Sequence, residues 1–177
     1  FKNEGYVYLR RGLNEIELSE SADISLYKSD YSTSSQKFTA ESFVLSGASL
    51  QRDKYGTRYI DGISSEGGSA SLKVNVPESG AYRITVNYAN NLEGGYHDYN
   101  VDLIEAMMTV SVNGGNAQDI FCRNTYSDYT YKTMTFNISL EKGENEITFS
   151  NSGEYSFASL TSEAPLIKNV TINSVVS

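Results

Sequence analysis

The sequence predicts an all-β domain, a β-sandwich of the jelly-roll kind, and three observations carry that prediction. Ala70, Leu72, Val74 and Val76 alternate with Ser71, Lys73 and Asn75, the period of two that buries one face of a sheet. Tyr82, Ile84, Val86 and Tyr88 repeat the pattern after the turn residues Pro77-Glu78-Ser79-Gly80, so 70–88 reads as strand, tight turn, strand. Short runs of this type recur between turn signals, and no segment sustains a helical period.

Taken in order, residues 6–10 and 15–18 are short strands about Gly12-Leu13-Asn14, with a third over 24–27. The phrase Gly12-Leu13-Asn14-Glu15-Ile16 returns as Gly143-Glu144-Asn145-Glu146-Ile147. Residues 1–35 are therefore expected to be tail strands of a preceding, related β-module, or extra edge strands, ending in a polar linker. Residues 36–177 form the main module. Residues 38–45 open it as one strand ended by Ser46-Gly47, and 55–63 make a second, with Tyr59, Asp61 and Ile63 on one face. Residues 91–105 read as a long acidic, aromatic loop on a rigid scaffold, a common setting for a binding surface. Met108, Val110 and Val112 form a strand, Asn113-Gly114-Gly115 a hairpin turn, and 119–123 its partner. Residues 124–132 are a second aromatic loop, and Met134, Phe136, Ile138 and Leu140 an inward-facing set. Residues 141–143 turn back toward Ile147 and Phe149. A third loop over 151–165 precedes a closing strand with Ile167, Val170 and Ile172.

The chain has 177 residues and a net charge of −8, which argues against nucleic acid and anionic membrane surfaces as partners. No apolar run reaches the length of a membrane span. A single cysteine, Cys122, excludes an internal disulfide framework and a four-cysteine zinc site. The chain starts at Phe1 without Met and reads as an excised module of a secreted or cell-surface protein whose signal would lie upstream.

The ordered set Phe38-Thr39-Ala40-Glu41, YGTRYIDGI (55–63), LKVNVPESGAYRITVNYAN (72–90), SVNGG (111–115) and GENEITF (143–149) resembles the carbohydrate-binding modules of families 35 and 6. Those are lectin-like, galactose-binding-domain-like β-sandwiches appended to glycoside hydrolases. The resemblance implies a site at one apex, built from loops 88–105, 124–132 and 151–165 with a contribution from Arg58 and Tyr59. Carried over by position, its candidate sugar contacts are Arg58, Asn90, Tyr96, His97, Asp98, Tyr99, Tyr126, Tyr129, Asn151 and Tyr155. These residue types suit the task, because aromatic faces stack on sugar C–H faces while carboxylates and amides take hydroxyls.

The family's structural calcium is bound by acidic residues of the opening strand and an Asp of the last strand. Here Glu41 is kept, but Thr39 and Lys168 stand at the other positions, and an ammonium cannot ligate calcium. The expectation is that Lys168 pairs with Glu41 and replaces the metal's charge. A separate calcium site using Asp98, Asp102 and Glu105, beside Glu93, is the remaining metal candidate. No hydrolase motif accompanies His97, the sole histidine, and Cys122 on a strand reads as a core residue rather than a nucleophile. The expected function is non-catalytic: holding a glycoside hydrolase on an oligo- or polysaccharide. The alternative is a structural spacer that packs against a catalytic domain and binds no sugar.

Overall fold

The computed structural model describes residues 35–97, 100–153 and 163–174, with backbone alone for 95–97 and 100–102. The reading of residues 1–34 lies outside these. The strands are β1 (Gln36–Thr39), β2 (Val44–Ser46), β3 (Ser49–Arg52), β4 (Arg58–Asp61), β5 (Ser69–Val76), β6 (Gly80–Ala89), β7 (Glu93–His97), β8 (Asn100–Leu103), β9 (Ala106–Val112), β10 (Gln118–Cys122), β11 (Lys132–Leu140), β12 (Gly143–Ser150) and β13 (Leu166–Ser174). One sheet runs β11-β6-β13-β4-β3, with β1 also paired to β13; the other runs β10-β9-β12-β5-β2. The paired strands of both are antiparallel, with one isolated parallel bridge from Gly47 to Ser69. Alternate residues of both sheets meet in one core, where Ile84 and Val86 from one face Leu72 and Phe149 from the other. Phe43 packs edge-to-face on Phe149 with centroids 5.7 Å apart. Each large side chain so buried contributes roughly 1.5–3 kcal/mol.

The alternation over 70–76 and 82–88 is as expected, but the two strands do not form a hairpin. β5 pairs with β12 and β2, whereas β6 pairs with β11 and β13 in the opposite sheet. The turn at 77–79 is an arch over the edge of the core. Pro77, lacking an N–H, ends the β5 ladder, and the Tyr82 hydroxyl donates back to the Glu78 carbonyl at 2.7 Å. Residues 141–142 make a second arch, from β11 into β12. There Asn145, 1% exposed, donates from Nδ2 to the carbonyls of Glu141 (2.6 Å) and Gly143 (3.1 Å), while its Oδ1 accepts from the Glu141 N–H at 3.0 Å. The turn between β9 and β10 is the expected true hairpin, with Asn113 at φ 52° and Gly114 at φ 67°.

Four other expectations need correction. Residues 38–45 are not one strand: a single 3-10 turn at Ala40–Ser42 buries Ala40 and carries the chain from β1 in one sheet to β2 in the other. β3 was not expected. It forms a hairpin with β4 closed by Asp53, whose carbonyl accepts from Gly56 (3.0 Å) and whose N–H donates to the Thr57 carbonyl (2.9 Å). Within β4 the core residue is Ile60, fully buried, with Tyr59 and Asp61 outward. Ile63 joins the core side because Gly62, at φ +80°, breaks the alternation; the backbone passes so close here that a Cβ on Gly68 would lie 1.7 Å from the Gly62 carbonyl oxygen. Lastly, 91–105 is not an irregular loop. Its backbone pairs as the two-stranded ribbon β7–β8, with a register shift between Glu93 and Tyr96.

Candidate functional site

The loops of one end are built on Asn90, which is 2% exposed. Its Nδ2 donates to the carbonyls of Ile104 (2.9 Å) and Cys122 (3.0 Å), and its Oδ1 accepts from the Leu92 N–H (3.0 Å). Its backbone N–H donates to the Thr125 hydroxyl at 2.9 Å, and its carbonyl accepts from the Thr125 N–H at 2.7 Å. Asn124 repeats the device, donating to the Leu92 carbonyl (2.7 Å) and accepting from the Tyr126 N–H (2.7 Å). The base of the ribbon and the 124–131 loop are thereby one hydrogen-bonded unit. Asn90, among the candidate sugar contacts, is buried beneath the loops with its amide bonded to backbone.

On that support the 124–131 loop displays its rings. Tyr126 sits at φ +65°, left-handed backbone that a bulky residue adopts at a cost of about 1 kcal/mol, and its ring is exposed under the ammonium of Lys132, 5.2 Å from the centroid. Tyr129 is 44% exposed and meets Tyr55, 73% exposed, edge-to-face at 6.0 Å and 88°. Tyr131 turns its hydroxyl to Asp53 Oδ2 at 3.4 Å, and the Lys168 ammonium lies over its ring at 4.5 Å. The β3–β4 turn and the 124–131 loop thus meet through Tyr55–Tyr129 and Asp53–Tyr131, with the half-buried Tyr59 of β4 near Asp53, Asp128 and Tyr129.

This surface is rich in carboxylates. Burial first, then the charges of Asp61 and Asp128, raise the Tyr59 phenol above its ordinary value. Burial and the Asp53 charge push Tyr131 up to about 12. Burial also raises Asp128, and the neighbouring Asp61 adds to it. Asp53 goes the other way. Burial opposes its ionisation, but the backbone N–H groups of Thr57 and Tyr55, each 2.8 Å from Oδ1, outweigh that and lower its pKa.

The candidate contacts Tyr126 and Tyr129 lie on this 124–131 loop, and the sequence alone did not associate Asp53, Lys54 and Tyr55 with them. The available signal was the Asp53-Lys54-Tyr55-Gly56 run, an Asp-to-Gly turn with an aromatic at its tip. Arg58 is ion-paired with Glu41, Nε to Oε1 at 3.4 Å, both half-exposed. Asn151, 6% exposed, donates to the Met107 carbonyl (3.3 Å) and accepts from the Gly153 N–H (2.9 Å), which ties the start of the third loop to β9. The side chains of Tyr96, His97 and Asp102, and the whole of Asp98, Tyr99 and Tyr155, lie outside the described residues.

The expected Lys168–Glu41 pair is not what forms. Glu41 takes Arg58, while Lys168 lies on Tyr131. The Thr39 hydroxyl first, then the carboxyl's own backbone N–H and the Arg58 charge, lower the Glu41 pKa. A guanidinium and a hydroxyl donor on the one retained carboxylate do not fit a calcium ion, which needs six or more oxygens. Glu105 faces Arg123 at 3.8 Å, and among the described residues no group of three or more His, Cys, Asp or Glu is placed to hold a metal. Cys122 is fully buried and pushed up to about 12 by burial, with the charge of Glu105 adding to it, so it cannot serve as a thiolate nucleophile.

Two antiparallel sheets over one core, with rings and carboxylates presented by loops, define a lectin-like β-sandwich. Residues 36–161 match the carbohydrate binding module of family 35, and the chain belongs to that family of non-catalytic modules. A family 35 carbohydrate binding module from Clostridium thermocellum is similar at a TM-score of 0.62 and 29% identity, covering 78% of this chain and 98% of that one. Among curated proteins, an isomaltosyltransferase of Sporosarcina globispora is 28% identical over 120 residues, and a 1,6-alpha-glucosyltransferase of the same organism 40% identical over 58. The matches cover 66% and 30% of this chain but 10% and 4% of those enzymes, so the chain spans a small part of the curated relatives' length. Among the described residues no helix is long and apolar enough to cross a membrane.

Proposed function

We propose that the chain binds a glycan on the surface formed by the β3–β4 turn and the 124–131 loop, and so holds an attached carbohydrate-active enzyme on its substrate. The observation that supports this reading is the edge-to-face pair of exposed rings Tyr55 and Tyr129, with Tyr126 exposed on the same loop as Tyr129 and the charges of Asp61 and Asp128 acting on the adjoining Tyr59. Rings left in water on loops fixed by buried asparagines are preorganised to stack on sugar, and the carboxylates are acceptors for its hydroxyls. The chain contributes no chemistry of its own; it raises the local concentration of the enzyme at the glycan.

Both curated relatives are named for α-glucosyl or isomaltosyl transfer, and we take α-glucans as the ligand class to test first. Calorimetry of the full chain with isomaltotriose, maltotriose and β-1,3-galactotriose measures this directly. A shallow site of this kind gives dissociation constants on the order of 10 μM to 1 mM. Tyr129→Ala is expected to weaken binding by about tenfold or more, the loss of one stacked ring. Unchanged affinity in Tyr129→Ala would move the site elsewhere. No binding of any glycan would favour a spacer that packs against its enzyme.

A further inference from the structure

The ammonium of Lys54 is placed on two aromatic rings at once. Its Nζ lies 4.6 Å from the centroid of Tyr129 and 5.1 Å from that of Tyr55. The rings stand at 88° to one another, so they form a corner, and the ammonium fills it. Lys54, Tyr55 and Tyr129 are all among the exposed residues. A sugar stacked on Tyr129 from within the corner needs the volume above the ring that the Lys54 head now occupies, because C–H to ring packing and the cation–π contact use the same few ångströms.

We propose that Lys54 is a displaceable latch on the sugar site, resting on the rings in the free protein and swinging out when a sugar enters the corner. This rests on the glycan-binding reading. The latch is weak by construction. An exposed cation–π contact corresponds to about two- to fivefold in an equilibrium constant, which a stacking sugar can overcome. Lysine suits the role, since its four-carbon stem swings its ammonium from the rings into water without breaking a fixed hydrogen bond. A ligand with equal affinity for latched and open forms would not shift Lys54, so displacement is the measurable content of the proposal.

The test is a graded series on the full chain, titrated with isomaltotriose, maltotriose and β-1,3-galactotriose. Lys54→Ala and Lys54→Met, which cannot make the contact, are expected to bind the tightest of these about two- to fivefold better than the parent. Lys54→Arg, whose planar cation stacks more strongly, is expected to bind it more weakly. By NMR, the Lys54 ε-methylene protons of the free protein should be shifted upfield by the rings, lose that shift in Tyr129→Ala, and return toward ordinary values on saturation with sugar. Sugar binding with equal or weaker affinity in Lys54→Ala, or no ring-current shift in the free protein, overturns the latch and leaves the glycan reading standing. Absence of binding by parent and all variants removes the glycan reading, and the latch with it.

Discussion

The two ends of the sandwich use the same device to opposite effect. Each has a buried asparagine whose amide closes the backbone of a crossing: Asn145 at the arch of residues 141–142, Asn90 under the ribbon and the 124–131 loop. Each also has a non-glycine residue in left-handed backbone, Asn113 at φ 52° and Tyr126 at φ 65°. Asn113 stands in a hairpin turn, where asparagine tolerates that conformation, and its side chain bonds Asn145 at 3.0 Å and the Glu146 N–H at 2.8 Å. Tyr126 has no such excuse, and its ring goes to solvent. One end is a local optimum. At the other, strain and exposed rings persist because the structure beneath holds them, which is the pattern of a surface kept for binding.

The sharpest way to break this comparison is to remove the two asparagines. Asn145→Ala and Asn90→Ala each strand several buried backbone groups and should lower stability by about 3 kcal/mol, read as the urea midpoint. Asn145→Ala should leave glycan affinity untouched at temperatures where the protein remains folded, whereas Asn90→Ala should weaken it. Equal effects on affinity would mean that the two ends are not distinct. Next in size, Tyr126→Gly should raise stability by about 1 kcal/mol as the strain is released, while Asn113→Gly changes it by a few tenths. A larger gain at Asn113 would reverse the assignment of strain.

A smaller effect is expected from pH. Asp128 is raised in the folded state, so the native protein holds its proton more tightly than the unfolded chain does. Its ionisation therefore costs stability as pH rises from the ordinary carboxylate value, near 3.8, through the raised one, and the full cost is present at neutral pH. Asp128→Asn should remove that downward slope and be neutral or slightly stabilising at pH 7. A variant that loses stability at pH 7 would show Asp128 to be held by a favourable partner instead. The smallest effect is expected from a chelator. With Arg58 on Glu41, EDTA should shift Tm by less than about 1 °C; a marked fall would place a structural cation in the module.

The sequence made the faces of the long strands legible and their neighbours illegible. Period-two alternation states which side of 70–76 and 82–88 is buried, but not which strand lies beside each. A three-residue link is as consistent with a hairpin as with an arch between sheets. The strand drawn through 38–45 failed for a related reason. Ala40 and Phe43 are both buried though three residues apart, which one strand would place on opposite faces; the 3-10 turn between them brings both to the core while the chain crosses its edge. At the site, residue types in one loop could be read, but contacts between segments could not. Tyr129 could be read as an aromatic on a loop; its neighbours Tyr55 and Lys54 come from a hairpin that alternation did not reveal. Likewise, replacement of the expected acidic ligands by Thr39 and Lys168 was legible, and the cation on Glu41 was not, because Arg58 reaches it from another strand.

β1 lies against the final strand, with Gln36 opposite Ile172, and Gln36 Nε2 also donates to the Asn75 carbonyl beside the 77–79 arch at 3.0 Å. β1 therefore begins, and β13 ends, toward the end of the sandwich opposite Asn90. A load carried through flanking chain on both sides would open β1 from β13 like a zipper, one rung at a time, beginning at the Gln36 end. The Asn90 end would be the last to feel it.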